Sequence, residues 1–260
     1  MLLAIDVGNS ETVVGAFPGP DNPAEGLLDH WRVSTVAERT GDELALLVDQ
    51  LLGLRDLSLL DDVTGVVVSS VVPRVTGALR DMAGRFTGHP ALVLEPGVKS
   101  GLPILYDNPK EVGADRIANA VAAFDVYGGP TIVVDFSPTA TVFDAISAKG
   151  EYLGGAITPG VEVSLDGLFD RAAGLRRVEL VPPRNVIGRS IVESIQSGVV
   201  HGLVALVDGI IGRFEEVLGP STLVVTGGHA GLVARLSSRH LHEDPWLTLH
   251  GLRLVWLRNQ

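Results

Sequence analysis

The 260-residue chain contains no cysteine. That excludes a disulfide framework, a thiolate nucleophile and any cysteine-ligated zinc site. Basic residues are the minority: 20 Lys and Arg stand against 31 Asp and Glu, a formal net charge of -11. Phosphate backbones are held by clustered cations, so nucleic acid is not expected as a partner. No basic leader with a cleavage signal precedes the first apolar run. The longest apolar tract, Gly198 to Gly212, carries His201 and Asp208 and is short for a bilayer, so it reads as a buried helix and no membrane partner is expected. These absences together point to a cytoplasmic protein. Also missing are a Walker P-loop, a Gly-x-Ser-x-Gly elbow and a His-Glu-x-x-His zinc motif.

What is present describes a folded α/β protein. Hydrophobic residues make up 46% and charged residues 20%, enough for two modest lobes or one large domain. The stretch Leu2 to Gly15 reads as a buried strand ending in the carboxylate of Asp6, a tight turn at Gly8 and a second strand leaving it. A surface turn is expected at Gly19-Pro20-Asp21-Asn22-Pro23 and an edge strand at Trp31 to Ser34. Thr40 or Asp42 caps a helix to about Leu52, with Leu44, Leu46, Leu47, Leu51 and Leu52 as its apolar face. Val63 to Val72 is a β-branched strand halted at Pro73, where a helix begins, and Ala91 to Leu94 is another short strand. Pro109 opens a helix over Lys110 to Tyr127. A second β-β-β-α series follows: strands from Thr131, Thr141 and Tyr152, then a helix from Pro159 to about Ala173. A long helical stretch from Gly188 to Leu218 is expected to break near Ser197-Gly198. Leu223 to Val225 is a strand leading to Thr226-Gly227-Gly228, and Leu247 to Leu257 is ordered.

Two stretches bear on chemistry. Asp6-Val7-Gly8-Asn9-Ser10 and Asp135-Phe136-Ser137-Pro138-Thr139 each place an Asp at a strand end before a turn rich in hydroxyls. Backbone N–H groups in such a turn cradle phosphate, and the Asp holds the accompanying magnesium ion. Either copy alone reads more readily as an ordinary hairpin; the pair shifts the balance toward a nucleotide clamp. The histidines at 240 and 242, beside Glu243 and Asp244, have ligand-type side chains but read as a solvated loop. His201 and His229 read as buried or rim histidines, with a glancing nucleotide contact open to the latter.

The ordered motifs carry a resemblance. Asp6-Val7-Gly8-Asn9, Ser69-Ser70-Val71-Val72-Pro73, Tyr106 before Gly113-Ala114-Asp115-Arg116, Asp135-Phe136, Gly154-Gly155-Ala156-Ile157, Pro159-Gly160, Glu193 to Gly198 and Thr226-Gly227-Gly228 follow one another as in type III pantothenate kinases. The chain resembles that family over essentially its whole length. The resemblance implies an α/β fold of two stacked ribonuclease-H-like lobes, the actin-like ATPase duplication, with lobes at 1–110 and 111–260. It implies ATP-dependent phosphorylation of the primary hydroxyl of pantothenate, the first step of coenzyme A synthesis. It also implies magnesium with ATP, a monovalent cation (potassium or ammonium) and a homodimer.

Residue by residue, the resemblance makes Asp6, Val7, Gly8, Asn9, Ser10, Glu11, Thr12 and Val13 the first phosphate loop, with Asp6 toward magnesium. Asp115 becomes the general base. Gly113, Ala114, Arg116, Tyr106 and Ile191 line the substrate pocket, Asp135 holds the monovalent cation, and Thr139 meets phosphate. Taken alone, Asp115-Arg116 also fits an exposed charge pair and Tyr106 a rim aromatic.

Two departures stand out. The family's second loop reads Asp-Phe-Gly-Thr, whereas Ser137-Pro138 here replaces the glycine and adds one residue. Pro138 has no N–H to offer phosphate, and either Ser137 or Thr139 inherits the family threonine's role, Thr139 being preferred. At Ile191 the family has a threonine that contacts pantothenate; Ser190 is the candidate to replace part of that contact. Glu11, for a common asparagine, adds negative charge beside the phosphates. A related kinase with a different small hydroxylated substrate, or a non-catalytic binding or regulatory member, are the alternatives.

Overall fold

The computed structural model describes residues 1–19, 26–172, 175 and 177–260. Of the turn expected at Gly19 to Pro23, all but Gly19 lies outside these residues, as does the expected helix end at Ala173. The chain divides into two compact units, Met1–Asp125 with Trp246–Gln260, and Val126–Pro245.

In the first unit, β1 (Leu2–Val7) pairs antiparallel with β2 (Glu11–Phe17), which pairs with β3 (Asp29–Ser34) at the edge. On the other side β1 pairs in parallel with β4 (Gly65–Ser70), and β4 with the two-residue β5 (Leu92–Val93). The sheet order is β3-β2-β1-β4-β5. β1 and β4 are apolar on both faces because both faces are covered. Leu3, Ile5, Val7, Val66 and Val68 join the core beneath α1 (Gly41–Gly53) and α2 (Pro73–Met82). The alternate positions face α7 (Leu247–Leu257), whose Trp256 ring lies where a Cβ on Gly65 would stand.

The second unit repeats the plan. β6 (Thr131–Phe136), β7 (Ala140–Ile146) and β8 (Tyr152–Pro159) form an antiparallel series, and β6 runs parallel to β9 (Thr222–Gly227) and β9 to β10 (His242–Glu243). The order β8-β7-β6-β9-β10 matches the first sheet strand for strand. Ile132, Val134, Phe136 and Val225 pack with Val204, Val207 and Ile211 of a long helix numbered below.

Several expectations need correction. Leu46 is 66% exposed; Ala45 and Val48 fill the face of α1 with Leu44 and Leu52, because the buried stripe follows the 3.6-residue period rather than leucine identity. Thr40 does cap α1, in a capping box with Glu43. The segment opened by Pro109 is only a 3₁₀ turn, Pro109–Glu111. A new helix, α3 (Ala114–Tyr127), starts after Gly113, so Asp115 stands in a first turn rather than mid-helix. Pro159 ends β8, and Gly160 is the N-cap of α4 (Val161–Arg171). The long helix, α5 (Ile191–Leu218), runs 28 residues without a break at Gly198. By length and composition α5 suffices to cross a membrane, though 33% of its most apolar window is buried inside the structure. The His240 to Asp244 stretch includes β10, which follows α6 (Ala230–Leu236).

The compact units do not divide at 110/111. α3 and α7 pack on each other: a Cβ on Gly251 would lie 1.9 Å from the Ala118 carbonyl oxygen, and Thr248 Oγ1 bonds Asn119 Oδ1 at 2.7 Å. With α7 against β1 and β4, both helices stand with the first unit although one is C-terminal.

Candidate active site

The first loop is built by the β1–β2 hairpin. The Gly8 N–H donates to the Glu11 carbonyl at 2.9 Å, closing a turn whose tip, Asn9 and Ser10, is exposed. The end of β3 holds that turn from the side. Thr35 donates its hydroxyl to the Gly8 carbonyl at 2.8 Å and its N–H to the Ser10 carbonyl at 2.9 Å, and its Oγ1 lies 2.8 Å from Thr12 Oγ1. Nothing local in the sequence marked Thr35; its role depends on β3 lying beside β2. The charge added by Glu11 is met by Arg32, 3.1 Å away on β3. Asp6 is half-buried at the end of β1, flanked in register by Val13 and Ser69.

Asp115 lies in the same unit. It is half-buried in the first turn of α3, where the helix dipole favours a carboxylate. Its Oδ1 accepts the Arg116 N–H at 2.8 Å. A Cβ on Gly113 would come within 2.4 Å of that oxygen, so a side chain there would push the carboxylate out of this rotamer. Arg116 is buried and engaged, and Tyr106 is half-buried and engaged. Asp6 to Val13, Tyr106 and Gly113 to Arg116 therefore all belong to one unit.

Asp135, Thr139 and Ile191 belong to the other unit. The Ser137 N–H donates to the Ala140 carbonyl at 3.0 Å, the same closure that Gly8 makes with Glu11. Asp135 then corresponds to Asp6, and Thr139 to Ser10. The Gly160 N–H donates to the Thr139 carbonyl at 3.0 Å, as Thr35 does to Ser10. The Ser137 hydroxyl is held within the turn by the Ala140 carbonyl and N–H, at 3.0 and 3.2 Å, whereas Thr139 is exposed. Gly227, at φ +87, passes close to Asp135: a Cβ would lie 2.9 Å from Oδ1 and 2.4 Å from the Phe136 carbonyl oxygen.

Ile191 opens α5 and is 63% exposed on the wall of an open groove of about 790 Å³. Neither Asp135 nor Thr139 lines that groove. The Ser190 hydroxyl caps α5 by accepting the Glu193 N–H at 3.2 Å, which ties it to the helix end. His229 is half-buried at the N-cap of α6. Burial lowers its pKa below the usual imidazole value, and Glu162 partly opposes this.

The family profile described as type III pantothenate kinase matches residues 2–213. The chain belongs to the type III pantothenate kinase family. A type III pantothenate kinase of Streptomyces griseus is 51% identical over 267 residues, covering all of this chain and 98% of the relative. One of Myxococcus xanthus is 52% identical over 261 residues, covering all of this chain and 99% of the relative. Among solved structures, the activator of 2-hydroxyisocaproyl-CoA dehydratase from Clostridium difficile, with bound ADPNP, superposes at a TM-score of 0.60. It is 11% identical and covers 99% of this chain and 94% of its own, a likeness of fold alone. What the two proteins share is the fold, in this chain two mixed five-stranded sheets flanked by helices.

Proposed function

We infer that this family member transfers the γ-phosphoryl group of ATP to the primary hydroxyl of pantothenate, the entry step of coenzyme A synthesis. The observation that carries the reading is Asp115: a half-buried carboxylate at a helix start, given room by Gly113, in the unit that also holds the glycine turn behind Asp6. Phosphoryl transfer needs positioning, charge stabilisation and a carboxylate for the hydroxyl proton. The substrate oxygen forms a bond to the γ-phosphorus, the bond to the ADP oxygen breaks, and the proton passes to Asp115.

The remaining assignments follow. Asp6 to Val13 receive the phosphates on the N–H groups of the β1–β2 turn, and Thr139 serves from the second turn. Gly113, Ala114, Arg116 and Tyr106 surround the substrate, and Ile191 contributes from α5. The cation donors fit hard ions. Among the described residues no cluster of three or more His, Cys, Asp or Glu side chains forms. Magnesium suits such a site, since it takes one or two carboxylates together with substrate phosphates; Asp6 would hold it, supplying charge neutralisation at the transferred group. Asp135, close against the backbone of Gly227, would hold potassium or ammonium. The exposed apolar side chains Val186, Ile187, Ile191 and Val192 support a homodimer, the net charge of -11 supports a protein without nucleic-acid partners, and we place it in the cytoplasm with no membrane partner.

A coupled assay with ATP, magnesium and potassium tests the reading: pantothenate-dependent ADP release is expected, and folded protein without turnover refutes it. Ile191, apolar where the family has threonine, favours a second reading in which another small alcohol is the substrate. In a panel of hydroxylated substrates, a clear pantothenate preference excludes that reading.

A further inference from the structure

Ser69 is the group that the reading above leaves unused. It is 0% exposed, and among the described residues no group hydrogen-bonds its Oγ. A buried hydroxyl without a partner is costly and calls for an explanation. Its neighbour Ser70 has one: that hydroxyl accepts the Val72 N–H at 3.1 Å and donates to the Val72 carbonyl at 3.2 Å, turning the chain toward α2. Ser69 does nothing of the kind.

Its place in the sheet suggests what it serves. Ser69 and Asp6 are paired positions on the adjacent parallel strands β4 and β1, so their side chains leave the same face about 4.8 Å apart. Asp6's other neighbour in register is Val13, whose side chain is apolar. The second sheet repeats the pairing, with Asp135 opposite Thr226, also a buried hydroxyl. A carboxylate that turns its oxygens toward a cation leaves one lone pair on the sheet side, within reach of the serine.

We propose that Ser69 is a positioning residue for Asp6: its hydroxyl donates to the Asp6 carboxylate when that carboxylate serves magnesium-bound nucleotide. The proposal rests on the reading of Asp6 as the magnesium carboxylate. Ser69 itself touches neither nucleotide nor reacting atoms; it selects the carboxylate rotamer.

The test compares Ser69→Ala, Ser69→Thr and Asp6→Asn by calorimetric titration with a non-hydrolysable ATP analogue, with magnesium and with chelator, and by thermal melting of the protein alone. Ser69→Ala should weaken magnesium-dependent nucleotide binding about ten-fold and leave the magnesium-independent binding unchanged. Its melting temperature without nucleotide should be equal or higher, because the variant removes a buried hydroxyl that makes no bond. Ser69→Thr, which copies Thr226, should bind within about three-fold of the parent, the hydroxyl being retained. A lower melting temperature for Ser69→Ala makes the residue merely structural and overturns the proposal. If Asp6→Asn keeps the magnesium increment, the metal reading of Asp6 fails and takes the proposal with it. If Asp6→Asn loses the increment while Ser69→Ala keeps it, the Ser69 proposal alone falls.

Discussion

The turn at Gly8–Glu11 and the turn at Ser137–Ala140 share a length, a closing hydrogen bond and a lateral hydrogen bond, yet differ at almost every side chain. Where the first has Gly8 and Asn9, the second has Ser137 and Pro138. The first is held from β3 by the Thr35 hydroxyl as well as its N–H. The second is held by the Gly160 N–H, and by its own Ser137 side chain folded back on Ala140. A residue that appears inserted when the second loop is compared with its family thus makes it the same length as its partner loop in this chain. The hairpin tolerates the change because neither Gly8 nor Ser137 takes a positive φ, and the Ser137 side chain adds its own bonds to Ala140. The remaining deficit is one N–H, at Pro138.

The same comparison separates the helices that follow the two sheets. α3 begins Ala114-Asp115 and α7 begins Leu247-Thr248, with no acid in the first turn of α7. On the proposed reading, a carboxylate base is therefore available to α3 and not to α7. Asp115→Asn breaks that asymmetry most severely. It should lower kcat about 10²- to 10⁴-fold with little change in the KM for ATP; a parallel loss of nucleotide binding would show that Asp115 shapes the nucleotide site instead.

Pro138→Asn sharpens the loop comparison. If the two turns are equivalent, copying Asn9 into the second should restore one charge-assisted bond and tighten ATP binding about ten- to a hundred-fold. Replacing Ser137-Pro138 by a single glycine should do worse, because it shortens the turn and moves Thr139 off the station matching Ser10. Tighter binding by the shortened loop, read from the KM for ATP, would break the equivalence.

A smaller effect is expected at Thr35. Thr35→Val keeps the shape and removes the hydroxyl bond to Gly8 and the contact with Thr12, so nucleotide affinity should fall about two- to ten-fold. Titration with the ATP analogue measures it, and stability to urea should drop by no more than about 1.5 kcal/mol.

The smallest effect concerns the helix starts after the parallel strands, where Val72 caps α2 and His229 caps α6. The His229 pKa lies below its unfolded value because burial disfavours the charged ring. The folded state therefore binds fewer protons, and this contribution is present above about pH 6.5. It is lost as the pH falls through the lower folded pKa. His229→Gln should flatten the loss of urea stability between about pH 7 and about pH 5; an unchanged slope would assign the acid sensitivity to other groups.

Much of the fold was legible in the chain because apolar runs and breakers act locally. β1, β4 and β6 announce themselves as β-branched or aliphatic runs, and Pro73 and Thr40 mark helix starts by their own geometry and hydrogen bonding. Errors arose where several residues had equal local claims. Leu46 is as apolar as Leu44, yet the helix period turns it to solvent. Gly198 is a helix breaker by propensity, but burial of Gln196, Ser197 and Val200 on one face of α5 outweighs a propensity cost of about 1 kcal/mol. In the site, motif order pointed to Asp115 and the two Asp-tipped hairpins. Thr35, Arg32 and the unpartnered state of Ser69 depend on which strand lies beside which, and no local pattern states that.

By itself the sequence determined the two hairpins and the family, since a strand ending in Asp before a tight turn is set by neighbours a few residues apart. It also left the second loop looking like a damaged copy of the family's. Only the tertiary structure decided that this loop closes as the first one does, that α7 joins α3 in the first unit, and that Ser69 stands beside Asp6. Those outcomes come from pairing and packing between residues far apart in the chain, where register and burial, not local propensity, select the partner.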